Sequence, residues 1–172
     1  LEIFKDLNDQ EGTGRVMIGF GFLQWGLGNY ERALHNFKEG EQIFEKIGKQ
    51  KELGWCLNAI GGVYENLKDY AQALSHHAEA LDIFRNIELQ VGIGRGLIGI
   101  GTVFQMQGRL DEAKKCFLEA LDLFRQDAHK SSEARALNDL GMIHQADGDF
   151  DQALEYHGQA LEPVSYTHLR AH

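Results

Sequence analysis

Apolar residues recur along this chain at the three- and four-residue spacing of a helix face, in stripes separated by short polar stretches. From about Leu53 to Asn66 one stripe contains Leu57, Ile60, Gly61 and Tyr64, and from about Tyr70 to Ile87 a second contains Tyr70, Ala73, Leu74, His77, Leu81 and Phe84. Asp69 stands just before the second stripe, where an aspartate caps a helix. The pattern predicts two antiparallel helices joined by a tight turn.

This helix pair repeats every 40 residues. The repeated feature is a turn-like triplet followed by an alanine three residues on: Gly28-Asn29-Tyr30 to Ala33, Lys68-Asp69-Tyr70 to Ala73, Gly108-Arg109-Leu110 to Ala113, and Gly148-Asp149-Phe150 to Ala153. A fixed period of this length predicts a solenoid, in which each unit buries its apolar face against the next.

The register assigns residues 1–162 to the array: a partial repeat at 1–11, then four repeats starting near 12, 52, 92 and 132. Residues 1–4 share the phase of residues 81–84, so we expect the chain to open inside the second helix of a repeat. A longer, 80-residue alternation is also visible, because the even repeats carry Asn58 and Asn138 and place His77 and His157 where the odd repeats have phenylalanine.

The register breaks at Pro163, the only proline. Residues 164–172 resemble a translated sequencing adapter of the transposase-end type, and the alternative is a genuine disordered C-terminus. In either case residues 163–172 are interpreted as a tail outside the array, and no function is assigned after Glu162.

Composition narrows the classes of partner. The chain has 17 Lys and Arg against 26 Asp and Glu, a net charge of −9, which disfavours nucleic acid and anionic membranes as partners. Cys56 and Cys116 lie in different repeats at different phases, which favours free thiols in a reducing compartment over a disulfide or a zinc pair. We therefore expect a cytoplasmic protein without a membrane span.

The repeated constellation of Gly61, Tyr64, Asp69-Tyr70 and Ala73 resembles the tetratricopeptide repeat. The 40-residue unit resembles the long-repeat subclass of kinesin light chains, polarity scaffolds and bacterial signalling proteins. This resemblance implies an all-α, right-handed superhelical solenoid of antiparallel helix pairs. It also implies that the first helix of each repeat lines a concave groove for a peptide or a partner helix.

One line of positions on the first helices, at a spacing of three, four and three, is predicted to face that groove. It reads Arg15, Ile18, Phe22, Trp25; Trp55, Asn58, Gly62, Glu65; Arg95, Ile98, Thr102, Gln105; and Arg135, Asn138, Met142, Gln145. The predicted binding residues are Arg15, Trp25, Trp55, Asn58, Arg95, Gln105, Arg135, Asn138 and Gln145. Asparagines would hydrogen-bond a peptide main chain and arginines would hold acidic side chains. The alternatives are solvated surface residues, arginines paired with acids such as Asp139, and tryptophans packed between repeats.

Three apparent chemical motifs are set aside. The glycine pattern of residues 94–99 fits a dinucleotide fingerprint, but no strand precedes it and the register places it on a helix. His76 and His77 are adjacent, so they point to different sides, with His77 predicted in the core and His76 outward. No nucleophile has a base at a supporting spacing. We expect no catalysis, no metal and no cofactor.

The sequence thus predicts a scaffold that binds a protein or an extended peptide, acidic ones included. The alternative is a sensory or regulatory segment of a larger cyclase, histidine kinase or transcription regulator. We also expect self-association, because a repeat array without polar capping units exposes apolar faces.

Overall fold

The computed structural model describes the backbone of residues 9–168 and the side chains of residues 9–161. This part of the chain forms eight helices and no strand: α1 (Gln10–Gly26), α2 (Tyr30–Lys46), α3 (Gln50–Asn66), α4 (Tyr70–Asn86), α5 (Gln90–Met106), α6 (Leu110–Gln126), α7 (Lys130–Ala146) and α8 (Phe150–His168). The prediction of an all-α array of tandem helix pairs is confirmed.

The two ends of the chain leave two expectations open. Residues 1–8, assigned from the register to a partial repeat, and residues 169–172, the end of the predicted tail, lie outside the described residues. Helix α8 continues past Pro163 to His168, so the helix does not end where the repeat register breaks. The origin of residues 163–172 stays a prediction.

The chain divides into two compact units, Leu1–Glu88 and Leu89–His172. In the first, α1 packs on α2, α2 on α3, and α3 on α4. In the second, α5 packs on α6, α6 on α7, and α7 on α8, and α5 also approaches α7. Each unit is therefore two helix pairs in succession.

Every connection between helices turns through one residue with positive φ. These residues are Gly28, Gly48, Lys68, Glu88, Gly108, Ala128 and Gly148, with φ between 51° and 79°. At the first connection the amide of Gly28 donates to the carbonyl of Trp25, and the amide of Asn29 donates to that of Gln24. Bonds of this type satisfy the last carbonyls of a helix. The turn that connects two helices therefore also caps the first of them.

Aspartates begin three of the helices. The carboxylate Oδ1 of Asp69 accepts from the amide of Gln72 at 3.2 Å, which confirms the predicted cap of α4. Asp9 caps α1 and Asp149 caps α8 by the same three-residue bond. Such caps contribute about 1 kcal/mol each.

Glycines let large rings approach the first helices closely. A Cβ built on Gly21 would lie 2.5 Å from Phe37, and one on Gly101 would lie 2.5 Å from Phe117. A second level of such contacts pairs Gly14 with Phe44, Gly54 with Phe84, and Gly94 with Phe124. The rings are fully buried or nearly so, and they form the core of the pairs α1–α2, α3–α4 and α5–α6.

Candidate functional site

The predicted binding line occupies several different environments. Exposed members are Arg15, Phe22, Arg95, Arg135, Asn138, Met142 and Gln145, whereas Gly62 and Ile98 are buried and the remaining seven are half-buried. The line therefore mixes exposed residues with residues packed between the helices.

Trp25 belongs to the packing. Its indole Nε1–H donates to Oδ1 of Asn66 at 2.5 Å, and a Cβ on Gly62 would lie 2.5 Å from the indole ring. The ring also meets Phe37 edge-on, with centroids 6.3 Å apart. Trp25 thus packs α1 against α3 and is half-buried.

Trp55 lies on α3 and contacts the second helix of its own pair. Its ring is tilted by 51° against Phe84, with centroids 4.6 Å apart. Trp55 is half-buried.

Asn58 is engaged inside unit 1. Its Oδ1 lies 2.8 Å from Nδ1 of His77, and Oε1 of Glu65 lies 2.8 Å from Nε2 of the same ring. The His77 side chain is 2% exposed, so both polar atoms of a buried ring are satisfied by two residues of the predicted line. For Asn58 to bind a peptide, this network would have to open.

Asn138 stands at the equivalent place in unit 2 and behaves differently. Its side chain is exposed, and Nδ2 contacts Sδ of Met142 at 3.7 Å. The two asparagines occupy equivalent positions in the 80-residue alternation, but their environments differ. Asn138 is the more exposed of the two.

The Arg15 guanidinium lies in a cluster of charges on unit 1. It is 2.8 Å from Oε1 of Glu11 and 3.5 Å from Oε1 of Glu52, and Glu11 is also 2.7 Å from Nζ of Lys49. The hydrogen bond from Lys49 lowers the pKa of Glu11, and the hydrogen bond to Glu11 raises the pKa of Lys49. Arg15 thus meets carboxylates of its own chain.

Arg95 and Arg135 line a cavity of about 180 Å³ in unit 2 together with Ile98, Phe124, Ser131 and Ser132. Partial burial of the Arg95 guanidinium, and then the positive charge of Arg135, lower the pKa of Arg95, although the residue as a whole is exposed. Nε of Arg135 lies 3.8 Å from Oδ2 of Asp139, which is the pairing weighed from the sequence. Two cations thus face one small cavity.

The two glutamines of the line differ in exposure. Gln105 on α5 is half-buried and Gln145 on α7 is exposed. Both lie in the last turn of a first helix, where their carbonyls accept the amides of Gly108 and Gly148. Their side chains therefore lie at the end of the line near the turns.

A larger cavity was not predicted from the sequence. It measures about 490 Å³ and opens beside the α1–α2 turn, where it is lined by Gly28, Asn29, Tyr30, Glu31, Arg32 and Leu67. The repeat register marked Gly28-Asn29-Tyr30 as a turn, but it gave no sign that Leu67, in the α3–α4 turn, lies beside them.

The glycine pattern, the adjacent histidines and Cys56 all have packing contacts in the structure. The glycine pattern lies inside α5, where Gly94 contacts Phe124. His77 is in the core as predicted, but the prediction that His76 faces outward is wrong, because its half-buried ring stacks on Tyr64 with centroids 5.5 Å apart. Burial raises the pKa of Cys56 to about 12, which keeps this thiol protonated.

The described residues contain neither a cluster of metal-binding side chains nor a membrane-spanning helix. Among residues 9–161 no three His, Cys, Asp or Glu side chains are close enough together to hold a metal ion. None of the described helices has the length and apolar character needed to cross a membrane.

The architecture is that of a tandem helix-pair repeat protein. The sequence profile of the tetratricopeptide repeat matches residues 16–86 and 92–162, and the chain belongs to this family. Comparison with curated protein sequences gives no match.

Several solved structures share the fold. BtubC (BKLC) from P. vanneervenii is 17% identical with a TM-score of 0.75, over 93% of this chain and 66% of that one. Aspartyl phosphate phosphatase F from Bacillus subtilis is 19% identical with a TM-score of 0.84, over 92% and 42%. The Rap conjugation gene regulator of plasmid pLS20, in complex with the Phr* peptide, is 20% identical with a TM-score of 0.76, over 85% and 41%. The chain thus spans 41% to 66% of these structures, and at such identities the likeness shows the fold alone.

Proposed function

We propose that this chain is a protein-interaction segment that binds a peptide, or an extended part of a partner protein, through the first helices α1, α3, α5 and α7. The observation that carries the proposal is the surface of α7, where Arg135, Asn138, Met142 and Gln145 are exposed at a spacing of three, four and three. Positions that alternate between charged, amide and apolar side chains along one line suit a ligand in extended conformation.

A related structure supports this choice. The pLS20 regulator, which shares the fold, was solved with a peptide bound. A binding role also requires no catalytic constellation, and we propose that the segment performs no chemistry of its own.

Mutation of α7 provides the test. Peptides selected from a display library against the intact chain are measured by fluorescence anisotropy against Asn138→Ala and Gln145→Ala. Each change is expected to weaken binding about 3- to 10-fold, as the loss of one hydrogen bond predicts. The control is Asp122→Ala, an exposed residue of the second helix α6, which should leave the affinity unchanged. Equal effects at all three positions, or none, would refute a first-helix site.

The second candidate function is regulation within a longer protein. It is favoured by the solved structure of a conjugation gene regulator, of which this chain spans 41%. The two functions differ in what adjoins the array: an open reading frame that continues into a cyclase, histidine kinase or DNA-binding domain supports regulation, and further repeats alone support a scaffold.

A further inference from the structure

His77 is a buried histidine whose two ring nitrogens both face oxygen atoms. Nδ1 lies 2.8 Å from Oδ1 of Asn58, and Nε2 lies 2.8 Å from Oε1 of Glu65. The ring comes this close to α3 because Gly61 has no side chain: a Cβ there would lie 2.7 Å from the ring. The side chains of His77 and Glu65 are 2% and 15% exposed, so the network is largely shielded from water.

This arrangement fits the protonated ring. Only the imidazolium has a hydrogen on both nitrogens, so that Nδ1–H can donate to Asn58 while Nε2–H donates to Glu65. A neutral imidazole has one donor. Its hydrogen stays on Nε2, because a hydrogen bond to a carboxylate is stronger than a hydrogen bond to an amide. The lone pair of Nδ1 then faces the lone pairs of Oδ1, and this contact is repulsive.

Deprotonation of His77 therefore acts on Asn58 and not on Glu65. The Asn58 amide satisfies a neutral Nδ1 when it turns and presents its Nδ2–H groups in place of Oδ1. Oδ1 then leaves the ring and becomes free to accept from a peptide main-chain N–H. Asn58 is half-buried and lies on the predicted binding line of α3. The charge on His77 thus decides whether the network opens at Asn58.

The titratable neighbours of the ring among the described residues of unit 1 are Glu65 on α3 and His76 on α4. Burial, then the positive charges of Lys38 on α2 and of His77, lower the pKa of His76. His76 therefore stays neutral where His77 takes up a proton, and Glu65 is the anion that stabilises the charge on His77. Histidine side chains change their charge between about pH 5 and pH 8, which sets the range for a test.

The described residues of unit 2 form no such network at the equivalent place. Gln145 stands where unit 1 has Glu65, and His157 stands where unit 1 has His77. His157 is half-buried, and the exposed Asn138 contacts a methionine of its own helix. The 80-residue repeat thus provides an internal comparison, with a glutamate in one unit and a glutamine in the other.

We propose that His77 is a positioning residue that controls peptide binding at Asn58: the protonated ring holds Oδ1 of Asn58, and loss of the proton releases it to the peptide main chain. The inference rests on the proposed peptide-binding function and specifies how that function is regulated at α3. Binding through unit 1 strengthens as the pH rises. Because such coupling is reciprocal, peptide binding also expels the proton from His77.

The test measures peptide affinity for the intact chain by fluorescence anisotropy at about pH 5 and about pH 8. The probe is a peptide selected at the higher pH, with blocked termini and without histidine, cysteine or acidic residues, so that its own charge stays constant. The affinity is expected to rise about 3- to 10-fold with pH, as the gain of one hydrogen bond predicts. An affinity that is constant, or that falls as the pH rises, would overturn the inference.

Two variants locate the effect. Glu65→Gln introduces the residue that unit 2 has at the equivalent position, and it removes the anion that stabilises a charged His77. The affinity at about pH 5 should therefore rise to its value at about pH 8, which damage to the fold would not produce. His157→Gln in unit 2 is the matched control and should keep the wild-type pH dependence. A dependence that survives Glu65→Gln, or that disappears in His157→Gln, would contradict the proposal.

NMR follows the switch directly. The ring nitrogen signals of His77 and the side-chain amide signals of Asn58 should change together as the pH is varied, and added peptide should move both changes to lower pH. An Asn58 amide that does not respond to the charge on His77 would refute the proposal.

These measurements separate the inference from the function on which it rests. A peptide that binds along the first helices with an affinity independent of pH would sink the inference and leave the function intact. Coupled changes of His77 and Asn58 in a chain that binds no peptide would uphold the control of Asn58 by His77 and refute the function.

Discussion

The ring of Phe37 lies so close to Gly21 that a Cβ on the glycine would be 2.5 Å from the ring carbon Cε1. Phe37 is fully buried, so the ring has nowhere to move without disturbing its neighbours. Gly19, two residues earlier on the same helix, has nothing within 4 Å of its Cβ position apart from its chain neighbours and the backbone of its own helix. One helix thus contains a glycine required by packing and a glycine that is not.

Alanine at these two positions should have opposite effects. Gly21→Ala is expected to lower the free energy of unfolding by about 1–3 kcal/mol through overpacking. Gly19→Ala should raise it by about 0.5–1 kcal/mol, because alanine is the better helix former. Urea denaturation measures both changes. A stabilised Gly21→Ala protein would contradict the claim that Phe37 leaves no room for a Cβ at Gly21.

Because Asn58 contacts His77 and Asn138 has no such contact with a buried ring, replacing the two asparagines should change the stability of the protein by different amounts. Asn58→Ala leaves a buried ring nitrogen without its partner and should lower the free energy of unfolding by about 1–3 kcal/mol. Asn138→Ala, at the exposed equivalent position, should change it by less than about 0.5 kcal/mol. Thermal and urea unfolding compare the pair, and equal losses would mean that Asn58 makes no special contact with His77.

Glu133 should make stability depend on pH. Its burial raises the pKa, but the hydrogen bonds from Lys130 and Arg125 outweigh this, and the pKa lies below its usual value. A lowered carboxylate pKa stabilises the fold above the unfolded-state value, and this contribution is lost as the pH falls. Glu133→Gln should therefore cost about 1–2 kcal/mol at pH 7.

The same variant provides its own control through pH. The difference between the wild-type protein and Glu133→Gln should shrink toward zero as the pH is lowered below about 4.5, when the wild-type carboxylate becomes protonated. Unfolding curves at pH 7 and at acidic pH measure this, and a constant difference would show that the charge contributes nothing.

Helix α1 should mediate self-association with a second copy of the chain. Phe20 and Leu23 are 45% and 55% exposed, whereas Ile60 and Val63 at the equivalent positions of α3 are fully buried in a cluster with α2. The apolar face is buried on α3 and exposed on α1. We therefore expect a helix of a second molecule to pack against α1.

Light scattering tests this expectation. The wild-type chain should associate as its concentration rises, and Leu23→Lys should shift the protein toward the monomer. Leu118→Lys, at a 38% exposed leucine of α6, should not. A monodisperse wild-type monomer at high concentration would contradict the prediction.

The helix pairs, the turns and the Asp69 cap could be predicted because each depends on residues close in sequence. The contact of Asn58 with His77 could not, since a helix face defined by spacing alone does not show which side chain reaches across to the next helix. Trp25 illustrates the same limit, because its partner Asn66 belongs to the next repeat. The cavity of about 180 Å³ between α5, α6 and α7 could not be predicted either, because its lining residues come from three helices.

The most direct test of the central claim is an NMR map of the intact chain with a display-selected peptide. Binding through the first helices predicts that the largest amide shifts fall on α7 at Arg135, Asn138 and Gln145 and on the corresponding positions of the other first helices. The exposed residues of the second helices, such as Asp122 and Glu155, should shift little. Shifts concentrated on the second helices would contradict the account.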